Sequence, residues 1–95
     1  MESNFYIPER IEEIGQVVLF HRKKSGLSRA ELSSLSEVGQ SSIYDLEKGK
    51  ASISMEILFK ILKVLNIKVA VKSPLMNVYI KENIKEENKA EDSKP

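Results

Sequence analysis

Apolar residues recur along most of this chain at helical spacing, and beyond residue 66 they switch to the alternation of a strand. Ile11, Ile14, Val18 and Arg22 share one face when wound at roughly 100° per residue, and Lys23, Lys24 and Gly26 follow as stop signals. Pro8 suits a first helical position, and Glu9, Glu12 and Glu13 complement the dipole there, so a first helix is expected over about residues 8–24. Ser28 and Glu31 form an S-x-x-E capping box, which starts a second helix whose Leu32 and Leu35 are apolar and which stops near Ser36. Glu37 to Gly39 is a tight link to a third helix near residues 40–48, closed by Gly49. Ser54 caps a fourth helix with a broad stripe of Ile57, Leu58, Ile61, Leu62 and Leu65, ending near Asn66. Four short helices with tight links predict an all-α body over residues 8–66, preceded by an irregular extension at 1–7.

In Ile67 to Lys72, IKVAVK, the residues Ile67, Val69 and Val71 fall on one side, a strand pattern stopped by Pro74. A lone strand has no partner for its backbone groups. The simplest remedy is the same strand from a second copy, paired antiparallel across a two-fold axis, which makes residues 67–73 a dimerisation strand and the protein a homodimer. Pairing with the N-terminal Phe5–Ile7 is the alternative. Residues 74–95 are rich in Lys, Glu and Asn and are expected to be a polar, flexible tail, although Tyr79, Ile80 and Ile84 would share one helical stripe.

The third helix carries the chemistry. Gln40, Ser41, Tyr44 and Lys48 fall in one sector, while Ile43 and Leu46 fall on the far side. The front is thus a row of hydrogen-bonding side chains that adds little to a core. Composition sharpens this picture. The formal net charge is +1, but residues 77–95 hold four Lys and five acidic residues, leaving 11 basic and 9 acidic ones before them. Arg22, Lys23, Lys24 and Arg29 run without an acidic interruption, a local basic strip that suits a polyanion. There is no cysteine, hence no disulfide or thiolate metal site. No apolar run approaches the about 20 residues that span a bilayer, and no signal peptide is evident, so a cytoplasmic protein is expected. His21 stands alone without a second metal ligand nearby, and neither G-x-S-x-G, a phosphate loop nor H-E-x-x-H occurs. No catalytic residue, metal, cofactor or small-molecule substrate is indicated.

Two short helices joined by a turn, the second with a polar front, form a helix-turn-helix pattern. A helix of this width fits the DNA major groove, where Gln addresses adenine with an acceptor and a donor, Ser reaches either kind of edge, and a Tyr ring touches a thymine methyl or a phosphate. Such contacts concentrate near the start of the second helix.

The stretch LSRAELSSLSEVGQSSIYDLEKGK, residues 27–50, resembles the lambda-repressor-like, or XRE-type, helix-turn-helix family. Leu27 and Ser28 before A-E-L, Val38 in the turn, and Ile43, Leu46, Glu47 and Gly49 carry the resemblance. It implies a domain of four to five helices in which Arg22 pairs with Glu47. It also implies base reading by Gln40, Ser41, Tyr44 and Asp45, with phosphates held by Ser28, Arg29, Ser42, Lys48 and Lys50. Glu37 stands where the family usually has a left-handed Gly, a strain of about 1 kcal/mol unless Gly39 gives the turn another path. EILFKILKVLNIKVAVKSP is further similar to the end of HipB-type antitoxins, where a helix runs straight into a dimerising strand. That narrower resemblance implies an autoregulating repressor that binds an inverted-repeat operator in double-stranded DNA, and with it the nucleoid, together with a HipA-type serine/threonine kinase toxin. A stand-alone phage-type repressor, or an interaction module that mainly inhibits a protein partner, are the alternatives.

Overall fold

The computed structural model describes residues 4–50 and 52–84. Five helices follow one another: α1 Ile11–Lys24, α2 Arg29–Ser36, α3 Gln40–Glu47, α4 Met55–Val64 and α5 Met76–Tyr79, the last running into a π-helical turn at Ile80–Ile84. Helix α1 packs on α3, and α2 packs on both α3 and α4. The core lies where these four meet, with Val18, Leu32, Ile43, Leu46 and Ile61 fully buried. At roughly 1.5–3 kcal/mol per large apolar side chain, this cluster is what holds the short helices together.

Each of the first four helices ends in the same way. A left-handed residue follows it at Gly26 (φ 75°), Glu37 (φ 60°), Gly49 (φ 85°) and Asn66 (φ 59°). The next N–H then turns back to the last turn: Leu27 to the Arg22 carbonyl, Val38 to Ser33, Lys50 to Asp45 and Ile67 to Leu62. These bonds satisfy carbonyls that would otherwise be orphaned, and Gly or Asn is the ordinary choice at the left-handed position. Glu37 is the exception. Because Gly39 sits at φ −60°, the turn does not take another path, and Glu37 bears the strain.

Three expectations need correction. Helix α1 begins at Ile11, so Pro8 lies ahead of it. Arg10 occupies the cap position without a side-chain bond, and the Glu13 carboxylate instead reaches back to the Glu9 N–H at 2.6 Å. The strand expected at residues 67–73 is absent, as is any strand among the described residues. Beyond the Ile67 N–H, this segment makes no backbone hydrogen bond to another described residue until Met76 donates to Ser73. Neither Phe5–Ile7 nor any other described segment supplies the row of partners a strand needs. Finally, residues 76–84 are helical where a polar, flexible tail was expected, and the stripe of Tyr79, Ile80 and Ile84 falls within these helical turns. Val78, Tyr79 and Ile80 nevertheless stay exposed, so these three side chains gain no cover from the helical turns. The expectation for residues 85–95 lies outside the described residues.

Candidate nucleic-acid interface

The interface is set up by how α2 is tied down. Ser28 Oγ accepts the Glu31 N–H at 3.0 Å, and the Glu31 carboxylate accepts the Ser28 N–H at 2.8 Å, closing both halves of the capping box. Ser28 Oγ thus caps the helix as an acceptor and keeps its O–H as a donor. In the turn, Val38 is buried, and its carbonyl accepts a bond from the Ser33 hydroxyl, which anchors the link to α2.

Helix α3 then lies with Ile43 and Leu46 fully buried and Gln40, Ser41, Tyr44 and Lys48 exposed, the division its periodicity predicts. Ser42 is half-buried at the edge. Asp45 lies 3.6 Å from the Lys50 ammonium, an exposed pair worth well under 1 kcal/mol that water and salt screen easily. Gly15 of α1 makes the closeness of this packing visible. A Cβ there would run into the Leu46 carbonyl oxygen, so α1 and α3 touch backbone to backbone. The apolar pattern that places α1 does not include Gly15. The signal was available, since a Gly inside a helical stretch costs about 1 kcal/mol against Ala and asks for a packing reason.

Beneath the front lies a charged triad. Glu47, 4% exposed, accepts from Arg22 Nε at 2.6 Å and Nη2 at 3.1 Å, while Arg22 Nη1 bonds the Leu27 carbonyl at 2.9 Å. The third member was not foreseen. Arg29 Nε donates to Glu47 Oε1 at 2.8 Å. One buried carboxylate therefore ties α1, α2 and α3 together, and two guanidiniums share it. No described buried side-chain polar atom lacks a partner, which is the condition under which buried ions are tolerated. The Arg29 guanidinium also lies 5.2 Å from the centre of the Tyr44 ring, and the Lys48 ammonium lies 5.4 Å from the same ring.

His21 uses its Nδ1 on the Val17 carbonyl at 2.7 Å, and its ring meets Phe20 edge-on. No group of three potential metal ligands occurs among the described residues, and no described helix is long and apolar enough to cross a membrane.

A family model described as helix-turn-helix, HTH_3, matches residues 21–71, just over half of the 95-residue chain. Among solved structures the fold is similar to a chain of the HipA–HipB–O2–O3 complex, with 18% identity, a TM-score of 0.68, and coverage of 74% of this chain and 99% of that one. It is also similar to the restriction-modification controller protein C.AhdI from Aeromonas hydrophila, at 28% identity and TM-score 0.56, covering 61% of this chain and 88% of that one. The clp gene regulator ClgR from Corynebacterium glutamicum matches at 26% identity and TM-score 0.57, over 64% of this chain and 65% of that one. No curated protein matches the chain in sequence. With an exposed polar face on α3 and a family match that spans both helices of the motif, this chain belongs to the HTH_3 helix-turn-helix family, whose members are DNA-binding transcriptional regulators rather than enzymes.

Proposed function

We propose that this regulator is a dimeric, cytoplasmic repressor that binds an inverted-repeat operator and serves as the antitoxin of a HipA/HipB-type pair. The observation that carries the DNA half is the front of α3. Gln40 and Ser41 stand exposed at its start, backed by the fully buried Ile43 and Leu46. A rod so anchored presents its first turn to base edges without ordering cost, as a major-groove reader needs. Asp45, held near Lys50, accepts hydrogen bonds only and suits a cytosine amino group once that pair opens. Ser28, Ser42 and Lys50 line the flanks, where backbone phosphates would pass.

The dimer rests on Ile67, Val69 and Val71. The segment carrying them has open main-chain groups among the described residues, and Val69 and Val71 are 54% and 69% exposed. Paired antiparallel with a second copy, it gains the row of partners it lacks alone, and two α3 helices would then enter successive major grooves roughly 34 Å apart. The antitoxin half is supported by the similarity, in fold, to a chain of the HipA–HipB–O2–O3 complex. A regulator that mainly inhibits a protein partner is the second reading, favoured by Leu75, Val78, Tyr79 and Ile80, which stay exposed at the end of the described chain.

Selecting duplexes from a random pool and co-expressing the chain with the product of the neighbouring reading frame tests both halves. A palindromic consensus and a co-purifying kinase are expected. A consensus without any co-purifying protein leaves a stand-alone repressor, and retention of a partner without any selected duplex leaves the interaction module.

A further inference from the structure

Tyr44 stands on the face of α3 that would read bases, yet its surroundings are those of a phosphate site. Two cations from different helices, Arg29 of α2 and Lys48 of α3, both lie within 5.4 Å of its ring centre. Such cations repel one another, and a shared aromatic quadrupole offsets that repulsion while fixing where each charge stands. Arg29 is fixed from the other side as well. Its Nε is spent on Glu47, and neither Nη makes a hydrogen bond among the described residues. Its side chain is 38% exposed, so solvent reaches part of it. The charge balance beneath points the same way. Arg22 and Arg29 share the single Glu47 carboxylate, which leaves a positive excess at the surface end of the triad.

We infer that Arg29, Tyr44 and Lys48 form one preassembled clamp for the sugar–phosphate backbone of duplex DNA, in which Tyr44 is a positioning residue and not a reader of bases. The inference rests on the DNA-binding reading above and refines it. Preassembly matters because free Arg and Lys side chains each lose rotamer freedom on binding. Here Glu47 holds Arg29, and the Tyr44 ring restrains both cations before DNA arrives. The guanidinium fork suits two phosphate oxygens, and the ammonium adds a point charge beside it.

Binding of a selected duplex and of a scrambled duplex, each titrated from about 50 to 200 mM salt, tests the clamp in the full-length wild type and in Tyr44→Phe, Tyr44→Leu, Lys48→Ala and the Tyr44→Leu/Lys48→Ala double variant. Tyr44→Phe keeps the ring and should match wild type. Tyr44→Leu should weaken both duplexes alike, on the order of tenfold. It should also flatten the dependence on log salt by roughly 0.9, the worth of one phosphate contact. The double variant should be weaker than Lys48→Ala by clearly less than the full Tyr44→Leu loss, because part of that loss is the positioning of Lys48 itself. The clamp is overturned if Tyr44→Phe loses as much as Tyr44→Leu, if Tyr44→Leu changes the ratio between the two duplexes, or if the two losses add in full. Wild type that ignores every duplex at the lowest salt overturns the DNA reading itself and the clamp with it, so the two failures are distinguishable.

Discussion

The segment from residue 67 to residue 84 is richer in apolar residues than the α2–turn–α3 unit, ten of 18 against seven of 19, yet it is the α2–turn–α3 unit that buries them. In the α2–turn–α3 unit, the first region, Leu32, Val38, Ile43 and Leu46 are buried, α2 is capped at both ends, and even the charged Glu47 accepts three hydrogen bonds. In the second, Val69, Val71, Leu75, Val78, Tyr79 and Ile80 are exposed, and the main chain from Lys68 to Lys72 donates to nothing among the described residues. The difference teaches where each region finds its partners. The first completes its contacts within one chain and so can present a rigid face. The second leaves its apolar side chains exposed among the described residues, and that is the physical ground on which it is proposed as an assembly surface.

The largest effect that would break this contrast is at the triad. Glu47→Ala leaves Arg22 buried without a counter-charge and should cost about 3–5 kcal/mol in denaturant unfolding. A loss below about 1 kcal/mol, the scale of a surface pair, would mean that the first region is not tied through this carboxylate. Next comes Gly15→Ala. The added methyl meets backbone, not a side chain that can move, so about 3 kcal/mol of stability should be lost. An unchanged midpoint there would show that α1 and α3 are not in backbone contact.

In the second region the sign of the expectation reverses. Val69→Asp with Val71→Asp should leave unfolding of the monomer within about 0.5 kcal/mol of wild type, since both positions are exposed. Self-association should nevertheless weaken by roughly a hundredfold in sedimentation, because charges would face one another across the two-fold. Unfolding of this variant would place those valines in the core and erase the comparison. Smallest is Glu37→Gly, which removes left-handed strain and should stabilise by about 1 kcal/mol, read as a midpoint shift at constant slope.

Much of the first region was legible from its residues. Period, capping box and stop signals placed α2, α3 and α4 within a residue or two, because these are local devices that act on their own neighbours. The polar front of α3 was legible for the same reason. The start of α1 was not, since Pro8 is compatible with a first helical turn but does not compel one, and the Glu13 carboxylate bonds Glu9 instead. The inward hold on Arg29 was hidden too. It depends on Glu47, 18 residues away, arriving beside α2 only once the helices have packed. The 67–73 pattern was legible as alternation, but alternation states only that one face seeks burial. A strand also needs a neighbour, and the single chain provides none among the described residues.

The most direct test of the central claim, that the exposed face of α3 reads DNA, is the affinity of Gln40→Ala for a selected duplex and for variants changed at each base pair. Loss of about 1–3 kcal/mol on the selected duplex, or roughly 5- to 150-fold, is predicted, with preference relaxed at one base pair and binding to scrambled duplex unchanged. An unaltered preference at every base pair, or an equal loss on selected and scrambled duplexes, would contradict it.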